Sequence, residues 1–225
     1  MTNTLHRYGN ANSFQDDYVV FAMCCRGQNV EGAVPKLRRF LEMALPFGPV
    51  NLGDSRHGGA LRASKSMKPT SHWNRDLTPD FQGVIDGLDT LTTAAAVFDN
   101  RVAAEDFLKS VKAADLGLSV NISTSIDGAE QCCFAADHPR HSIGYSLGFE
   151  GRTEHLPNED VLKLSTMCGH GMVSASLAKK MVDWVKDGRR TPEEAVTYMA
   201  RFCSCGVFNP SRARRILEEA RVGQK

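Results

Sequence analysis

The chain has 225 residues, a length that suits one large domain or a domain with a smaller lobe attached. Apolar residues make up 42% of it and the formal net charge is +1, so we expect a normal core and neither nucleic acid nor a membrane surface as partner. No apolar run approaches the roughly 20 residues that span a bilayer. The polar residues 1–12 do not resemble a signal peptide, and the sequence therefore predicts a cytoplasmic protein.

The first part of the chain predicts one strand, one helix and one long loop. Residues 18–24 are a short, apolar, β-branched run of the kind that forms a buried strand. Apolar positions recur with a helical period from residue 30 to residue 45. Residues 51–80 show no period and are rich in glycine, serine and proline, which predicts a loop. Within this loop, Arg56 and His57 either bind an anionic ligand or belong to a plain surface segment.

Strands and helices alternate through the middle of the chain. The predicted strands cover residues 93–98, 116–122 and 142–149, and the predicted helices cover residues 102–114 and 126–136. This β-α-β-α-β order predicts an α/β or α+β core domain over residues 1–150, with helices covering a sheet. If the sheet is parallel, a ligand is expected at the carboxyl ends of its strands.

Residues 151–225 predict a helical, cysteine-containing lobe of three helices that packs on the core. A capping box with proline at the first helical position, residues 191–194, marks the start of the second of these helices. Cys168 precedes the first helix, and Cys203 and Cys205 lie between the second and the third. Helix ends carry free N–H groups and partial charge, and at a helix start these favour a thiolate over a thiol.

The cysteines favour a metal site over disulfides. Seven cysteines is an odd number, and the predicted compartment is reducing. Three thiolates at Cys168, Cys203 and Cys205 would be soft ligands, which select zinc, copper(I) or an iron–sulfur cluster. There are two alternatives without a metal. One of these cysteines could be a reactive thiol, or all three could be buried and act as small hydrophobic residues.

The preferred hypothesis is a [4Fe-4S] cluster held by Cys168, Cys203 and Cys205, with one iron left open for a substrate. Cys133, within a predicted helix, is a possible fourth cluster ligand, although core packing explains it more simply. Zinc is the alternative metal, with His170 as its fourth ligand. The segment Cys168-Gly169-His170, however, leaves little room for both side chains to bind one small ion.

An open iron site suggests an enzyme acting on a small molecule, such as a lyase or hydratase or a desulfurising enzyme. His170 is then the candidate general acid or base. Arg152 either binds a substrate carboxylate or is a surface arginine. The alternatives are a non-catalytic cluster or zinc protein, serving as a sensor, an assembly factor or an electron carrier, and a metal-free thiol catalyst that uses Cys168 and His170. The sequence does not predict the oligomeric state.

The five residues Met167-Cys168-Gly169-His170-Gly171 resemble the thiol-base segment of proline racemase and related cofactor-independent epimerases. In those enzymes a cysteine at a helix start abstracts a proton from a carbon next to a carboxylate. They also carry a second cysteine, in an Asp-x-Ser-Pro-Cys-Gly-Thr-Gly type of motif, which this chain lacks. The resemblance therefore does not extend to a two-thiol mechanism.

Overall fold

The computed structural model describes residues 5–25, 27–61 and 79–223. The strands of this part are β1 (Tyr18–Met23), β2 (Asn51–Asp54), β3 (Gly58–Gly59), β4 (Ala94–Phe98) and β5 (Ser119–Ser123). They form one sheet in the order β3-β2-β4-β1-β5, and every pair of neighbours is antiparallel. Because the sheet is antiparallel, a ligand is not expected at a shared carboxyl edge of its strands.

The helices fall into two groups along the chain. The first group is α1 (Ala33–Ala44), α2 (Phe81–Gly87), α3 (Arg101–Ala114) and α4 (Ile126–Ala135), interspersed with the strands. The second group is α5 (Glu159–Ser165), α6 (Ala175–Lys186), α7 (Pro192–Ala200) and α8 (Pro210–Val222). The α+β class is thus confirmed, and the C-terminal group has one more helix, α5, than the sequence predicted.

The sheet separates two apolar cores, because successive side chains of a strand point to opposite faces. On β1, Val19 and Phe21 join one core with the apolar side chains of α5–α8. Tyr18, Val20 and Ala22 join the other core with those of α1–α4. The molecule is therefore a sheet covered on both faces, and the C-terminal helices form one of the covering layers.

Two predictions along the chain are wrong in part. Residues 142–149 form no strand. Their large apolar side chains are 44% to 84% exposed (Ile143, Tyr145, Leu147 and Phe149), so burial in a core does not stabilise pairing with another strand. Residues 51–54, placed in a loop from sequence, form β2 in the interior of the sheet. The polar residues of β2 are tolerated because they are hydrogen-bonded: the Asn51 amide donates to the Phe208 carbonyl at 2.8 Å. Residues 62–78 of the same predicted loop lie outside the described residues.

In the described part of the chain, no helix has both the length and the apolar character needed to cross a membrane.

Candidate functional site

The connection between α5 and α6 presents Cys168 and His170. Helix α5 ends at Ser165, and the chain then turns through Gly169 and Gly171, which have φ angles of +70° and +66°. These left-handed conformations suit glycine, and they reverse the chain sharply between the cysteine and the start of α6. As a result Cys168 is fully buried, whereas the His170 side chain two residues later is exposed.

The connection between α7 and α8 presents Cys203 and Cys205. It ends at Asn209, whose side-chain oxygen accepts a hydrogen bond from the Arg212 amide at 3.0 Å and so caps α8. Gly206 has a φ angle of +74°, and a Cβ atom there would lie 2.5 Å from the Gly53 Cα atom. The connection is therefore pressed against β2, at a place where only glycines allow two backbones to approach so closely.

The two connections bring their sulfur and nitrogen atoms together. The Cys205 Sγ atom lies 3.2 Å from the His170 Nδ1 atom and 3.9 Å from the Cys203 Sγ atom. Cys168 completes the group, since its thiol interacts with both Cys203 and His170. The Phe208 amide donates a hydrogen bond to the Cys203 sulfur at 3.3 Å. We call Cys168, His170, Cys203 and Cys205 the thiol cluster.

Two of the cluster's thiols, those of Cys168 and Cys203, are held in the protonated form. Cys168, Cys203 and Cys205 are 0%, 1% and 5% exposed. The hydrogen bond with Cys203, together with burial, raises the pKa of Cys168 to about 12. The interaction with Cys168 lowers the pKa of Cys203, but its hydrogen bond to Cys205 and its burial outweigh that effect and raise the pKa to about 11. Neither sulfur is therefore a ready nucleophile at neutral pH.

Within residues 5–25, 27–61 and 79–223, no three His, Cys, Asp or Glu side chains stand in an arrangement that could hold a metal ion. The thiol cluster is held by contacts among its own members. A metal would have to replace these contacts, together with the protons of the thiols.

The N-terminal segment packs beside the cluster. A Cβ atom on Gly169 would lie 2.8 Å from the Leu5 Cβ atom, so Leu5 rests directly on the turn between Cys168 and His170. The Tyr8 amide donates a hydrogen bond to the Thr166 hydroxyl at 2.9 Å and ties this segment to the end of α5. The segment therefore packs on the turn that follows the buried Cys168.

Cys133 is not brought to the thiol cluster. It lies on α4, which belongs to the layer on the opposite face of the sheet, and it lines a cavity that none of the three clustered cysteines lines. Burial raises its pKa, and the nearby Arg140 opposes that shift. Its assignment as a fourth ligand finds no support in this placement.

His57 and Arg152, which the sequence also suggested as ligand-binding residues, pair with nearby carboxylates instead. The His57 ring bonds two carboxylates, with its Nδ1 atom 3.0 Å from the Asp54 Oδ2 atom and its Nε2 atom 3.2 Å from the Asp89 Oδ1 atom. A histidine held between two carboxylates does not fit the anionic ligand considered for this loop. Arg152 is exposed and pairs with Glu154 at 3.0 Å, as a surface arginine would.

Sequence patterns did not reveal the charged group that lies behind the cluster. The buried carboxylate of Asp17 accepts from the Arg7 and Arg212 guanidinium groups at 2.5 Å and 2.7 Å. Arg212 also approaches the Met167 sulfur at 3.9 Å, next to Cys168. No local pattern marks such charges as buried, because their partners come from distant parts of the chain. The nearest signal is the helix start at Asn209-Pro210, which places Arg212 in the first turn of α8.

Comparison with known proteins assigns no family. The chain matches no protein-family model, no curated protein and no solved structure.

Proposed function

We propose that the chain binds a thiophilic metal through Cys168, Cys203, Cys205 and His170. One observation carries the proposal: three sulfur atoms and one imidazole nitrogen, supplied by two separate connections, meet at one place on the face of the sheet. Three buried cysteines and a histidine are the donor set of a structural Cys3His zinc site. Such a site would tie α5–α6 and α7–α8 to each other.

The four donors are not yet arranged around an ion, but one sulfur–sulfur distance supports a single ion over a cluster. Zinc–sulfur bonds of about 2.3 Å in a tetrahedron put two sulfurs about 3.8 Å apart, and the Cys203 and Cys205 sulfurs are separated by 3.9 Å. The same geometry puts sulfur and nitrogen about 3.6 Å apart, against 3.2 Å for Cys205 and His170, a separation typical of a hydrogen bond. The sulfurs of a cubane cluster bind different irons and must lie farther apart. Zinc is therefore preferred over the cluster that the sequence suggested.

Binding requires changes in the cluster. The thiols of Cys168 and Cys203 must lose their protons, and Cys168 must give up its hydrogen bond with Cys203 before its sulfur is free to bind. The thiolate, and not the thiol, is the metal ligand, so each proton is released when the metal binds. The free energy of the metal–sulfur bonds offsets the cost of this release.

The surroundings favour a structural or sensing role. None of the four cluster residues lines the cavity beside β5 or the shallow cavity on α6. A closed structural zinc site keeps no position for a substrate, and burial of the three cysteines is consistent with such a site. The metal would then stabilise the C-terminal layer rather than act on a substrate.

The second candidate is the [4Fe-4S] enzyme, a lyase or hydratase or a desulfurising enzyme. One observation favours it: the His170 side chain is exposed while the three cysteines are buried, so the fourth position faces solvent. With three cysteine ligands, a cluster supplies a Lewis-acidic iron when it is bound. His170 would then hold or move a proton at its ring nitrogen beside the substrate.

The deciding experiment is metal and sulfide analysis of protein purified without oxygen. We expect about one zinc per chain, lost on Cys168→Ser, Cys203→Ser or Cys205→Ser and retained in the matched variant Cys25→Ser, whose thiol is exposed and distant in sequence. A brown protein with about four irons and four sulfides per chain would establish the second candidate. Protein that is free of metal and fails to bind added zinc or reconstituted cluster would overturn both. The contact of Cys205 with His170 would then remain as a thiol–imidazole pair.

A further inference from the structure

A second site lies at the free edge of the sheet, apart from the thiol cluster. A cavity of about 770 Å³ is bordered by strand β5, the start of α4, the N-terminal segment and residues 138–146. This volume lies within the range of small-molecule sites, about 300–1,000 Å³. None of Cys168, His170, Cys203 and Cys205 lines it.

The wall of the cavity holds hydrogen-bond donors without acceptors. The Asn121 Nδ2 and Arg7 Nε atoms are buried, and neither has a hydrogen-bond partner among the described residues. The Arg7 side chain is only 2% exposed, and its other nitrogens are fixed by Asp17 and by the Ser123 carbonyl. A buried donor without an acceptor costs free energy, which a ligand oxygen would recover.

The charge of the wall favours an anion. Two arginines, Arg7 and Arg140, and two histidines, His138 and His141, line the cavity, whereas Asp127 is the one carboxylate among the lining residues described. Arg140 is 23% exposed and uses its Nη2 atom for Glu130, at 2.6 Å. The rest of its guanidinium group remains as a fork of donors that matches phosphate or carboxylate oxygens.

The remaining wall is apolar. Ile122, Ile126 and Tyr145 line the cavity, and the last two are 52% and 65% exposed. Exposed apolar side chains beside a concave surface with a few hydrogen-bond donors are typical of a small-molecule site. The ligand must therefore present an apolar body as well as an acidic group.

From these features we propose that the cavity binds a small organic anion, an acidic group such as a phosphate attached to an apolar body. Its acidic oxygens accept from Arg140, Asn121 and Arg7, and its apolar part covers Ile126 and Tyr145. The site is independent of any metal at the thiol cluster, since the two share no side chain. Leu5 lines the cavity and also rests on Gly169, next to the cluster.

Cys133 provides a reporter within the wall. Its thiol lines the cavity and is part-buried, while Cys25 is exposed elsewhere and lines neither cavity. The experiment measures the alkylation rate of each cysteine by N-ethylmaleimide, resolved by mass spectrometry, on the full chain with phenyl phosphate as the probe. At a probe concentration of ten times its dissociation constant, alkylation of Cys133 should slow about tenfold, and that of Cys25 should not change.

Further probes and variants test separately whether the acidic group and the apolar body of the ligand are needed. Inorganic phosphate lacks the apolar body and benzyl alcohol lacks the charge, so each should protect Cys133 less than phenyl phosphate does at equal concentration. Arg140→Gln should lose most of the protection, and Arg152→Gln, an exposed arginine outside the cavity, should keep it. Circular dichroism checks that both variants are folded. Equal protection by benzyl alcohol, undiminished protection in Arg140→Gln, or no protection by phenyl phosphate at millimolar concentration would each overturn the proposal.

Discussion

The Nδ1 atom of His170 lies 3.2 Å from the Sγ atom of Cys205, although 35 positions separate the two residues in the chain. Each residue belongs to a different connection between helices, and each connection is fixed by its own glycine turn. Gly169 allows the first to reverse beneath Leu5, and Gly206 allows the second to lie against β2. The backbone conformation at these two glycines therefore brings the His170 ring and the Cys205 sulfur together.

The first prediction concerns the pH dependence of zinc binding. Hydrogen bonding and burial raise the pKa of Cys168 to about 12, so this thiol releases a proton when it binds zinc at neutral pH. The apparent affinity for zinc should rise steeply between pH 6 and pH 8, by up to about tenfold per pH unit for each proton released. Competition with a chromophoric chelator at constant ionic strength measures this slope.

The Cys168→Ser variant tests the assignment of one of these protons. It should lose zinc during purification, and any weak binding of added zinc that is left should have a slope smaller by about one proton. Cys133→Ser should retain the slope of the unaltered protein, because Cys133 lies on α4 away from the cluster. An affinity that does not vary with pH would contradict the participation of protonated thiols.

A second prediction tests the close approach of the α7–α8 connection to the sheet. In Gly206→Ala, the new Cβ atom would meet the Gly53 Cα and nitrogen atoms at 2.5 Å and 2.6 Å, at a φ angle of +74°. Both contacts are with backbone, which cannot rotate away, so we expect the free energy of unfolding to fall by about 2–4 kcal/mol. Urea denaturation measures the loss.

The matched control is Gly188→Ala. Gly188 has a φ angle of +69°, but a Cβ atom there would meet nothing within 4 Å. This variant should lose only the cost of the left-handed conformation, about 1–2 kcal/mol. The difference between the two variants therefore measures the close approach itself, and equal losses would show that Gly206 is not pressed against β2.

The third prediction concerns Asp17 and its two arginines. Burial alone would raise the pKa of Asp17, but the charges of Arg7 and Arg212 outweigh it and lower the pKa below its usual value of 3.8. The ion pairs therefore contribute their full stability above about pH 4, and this contribution is lost as the pH falls through the lower pKa of the folded state. Urea denaturation as a function of pH should show this fall.

Replacing the carboxylate isolates its effect. Asp17→Asn leaves Arg212, which is fully buried, facing a neutral amide, and should reduce the free energy of unfolding by about 3–5 kcal/mol at neutral pH. Its acid sensitivity below pH 4 should be weaker than that of the unaltered protein. Asp183→Asn, which breaks an exposed pair with Lys179, should cost no more than about 1 kcal/mol. Similar losses in the two variants would argue against a buried, coupled group at Asp17.

The fourth prediction tests the capping box of α7. The Thr191 hydroxyl accepts from the Glu194 amide at 3.2 Å, and the Thr191 amide donates to the Glu194 carboxylate at 3.1 Å. Thr191→Ala removes the first bond and should lower the free energy of unfolding by about 1 kcal/mol. Ser176→Ala, at an exposed position in the first turn of α6, should change it by less than about 0.5 kcal/mol. A loss in Thr191→Ala no larger than that in Ser176→Ala would contradict the capping role.

Local patterns in the sequence determined much of the secondary structure. Helical periodicity identified α1, α3, α4 and α6, and the capping signals at Thr191 and Asn209 located the starts of α7 and α8. They also located the three C-terminal cysteines between helices, but the structure has them inside the α5–α6 and α7–α8 connections and none at the first turn of a helix. These features follow from side chains a few positions apart, so a single sequence is sufficient to find them.

The tertiary structure alone decided which of these residues meet. Strand β2 has the sequence Asn-Leu-Gly-Asp, without a strand pattern, and it forms because the Asn51 amide and the glycine contacts of Gly53 find partners in the α7–α8 connection. Residues 142–149 have the alternation of a strand, but no core covers them. The pairing of His170 with Cys205, and the position of Cys133 across the sheet, likewise depend on contacts between residues distant in sequence. A local pattern does not encode such contacts, because they arise only when the helical layers pack on opposite faces of the sheet.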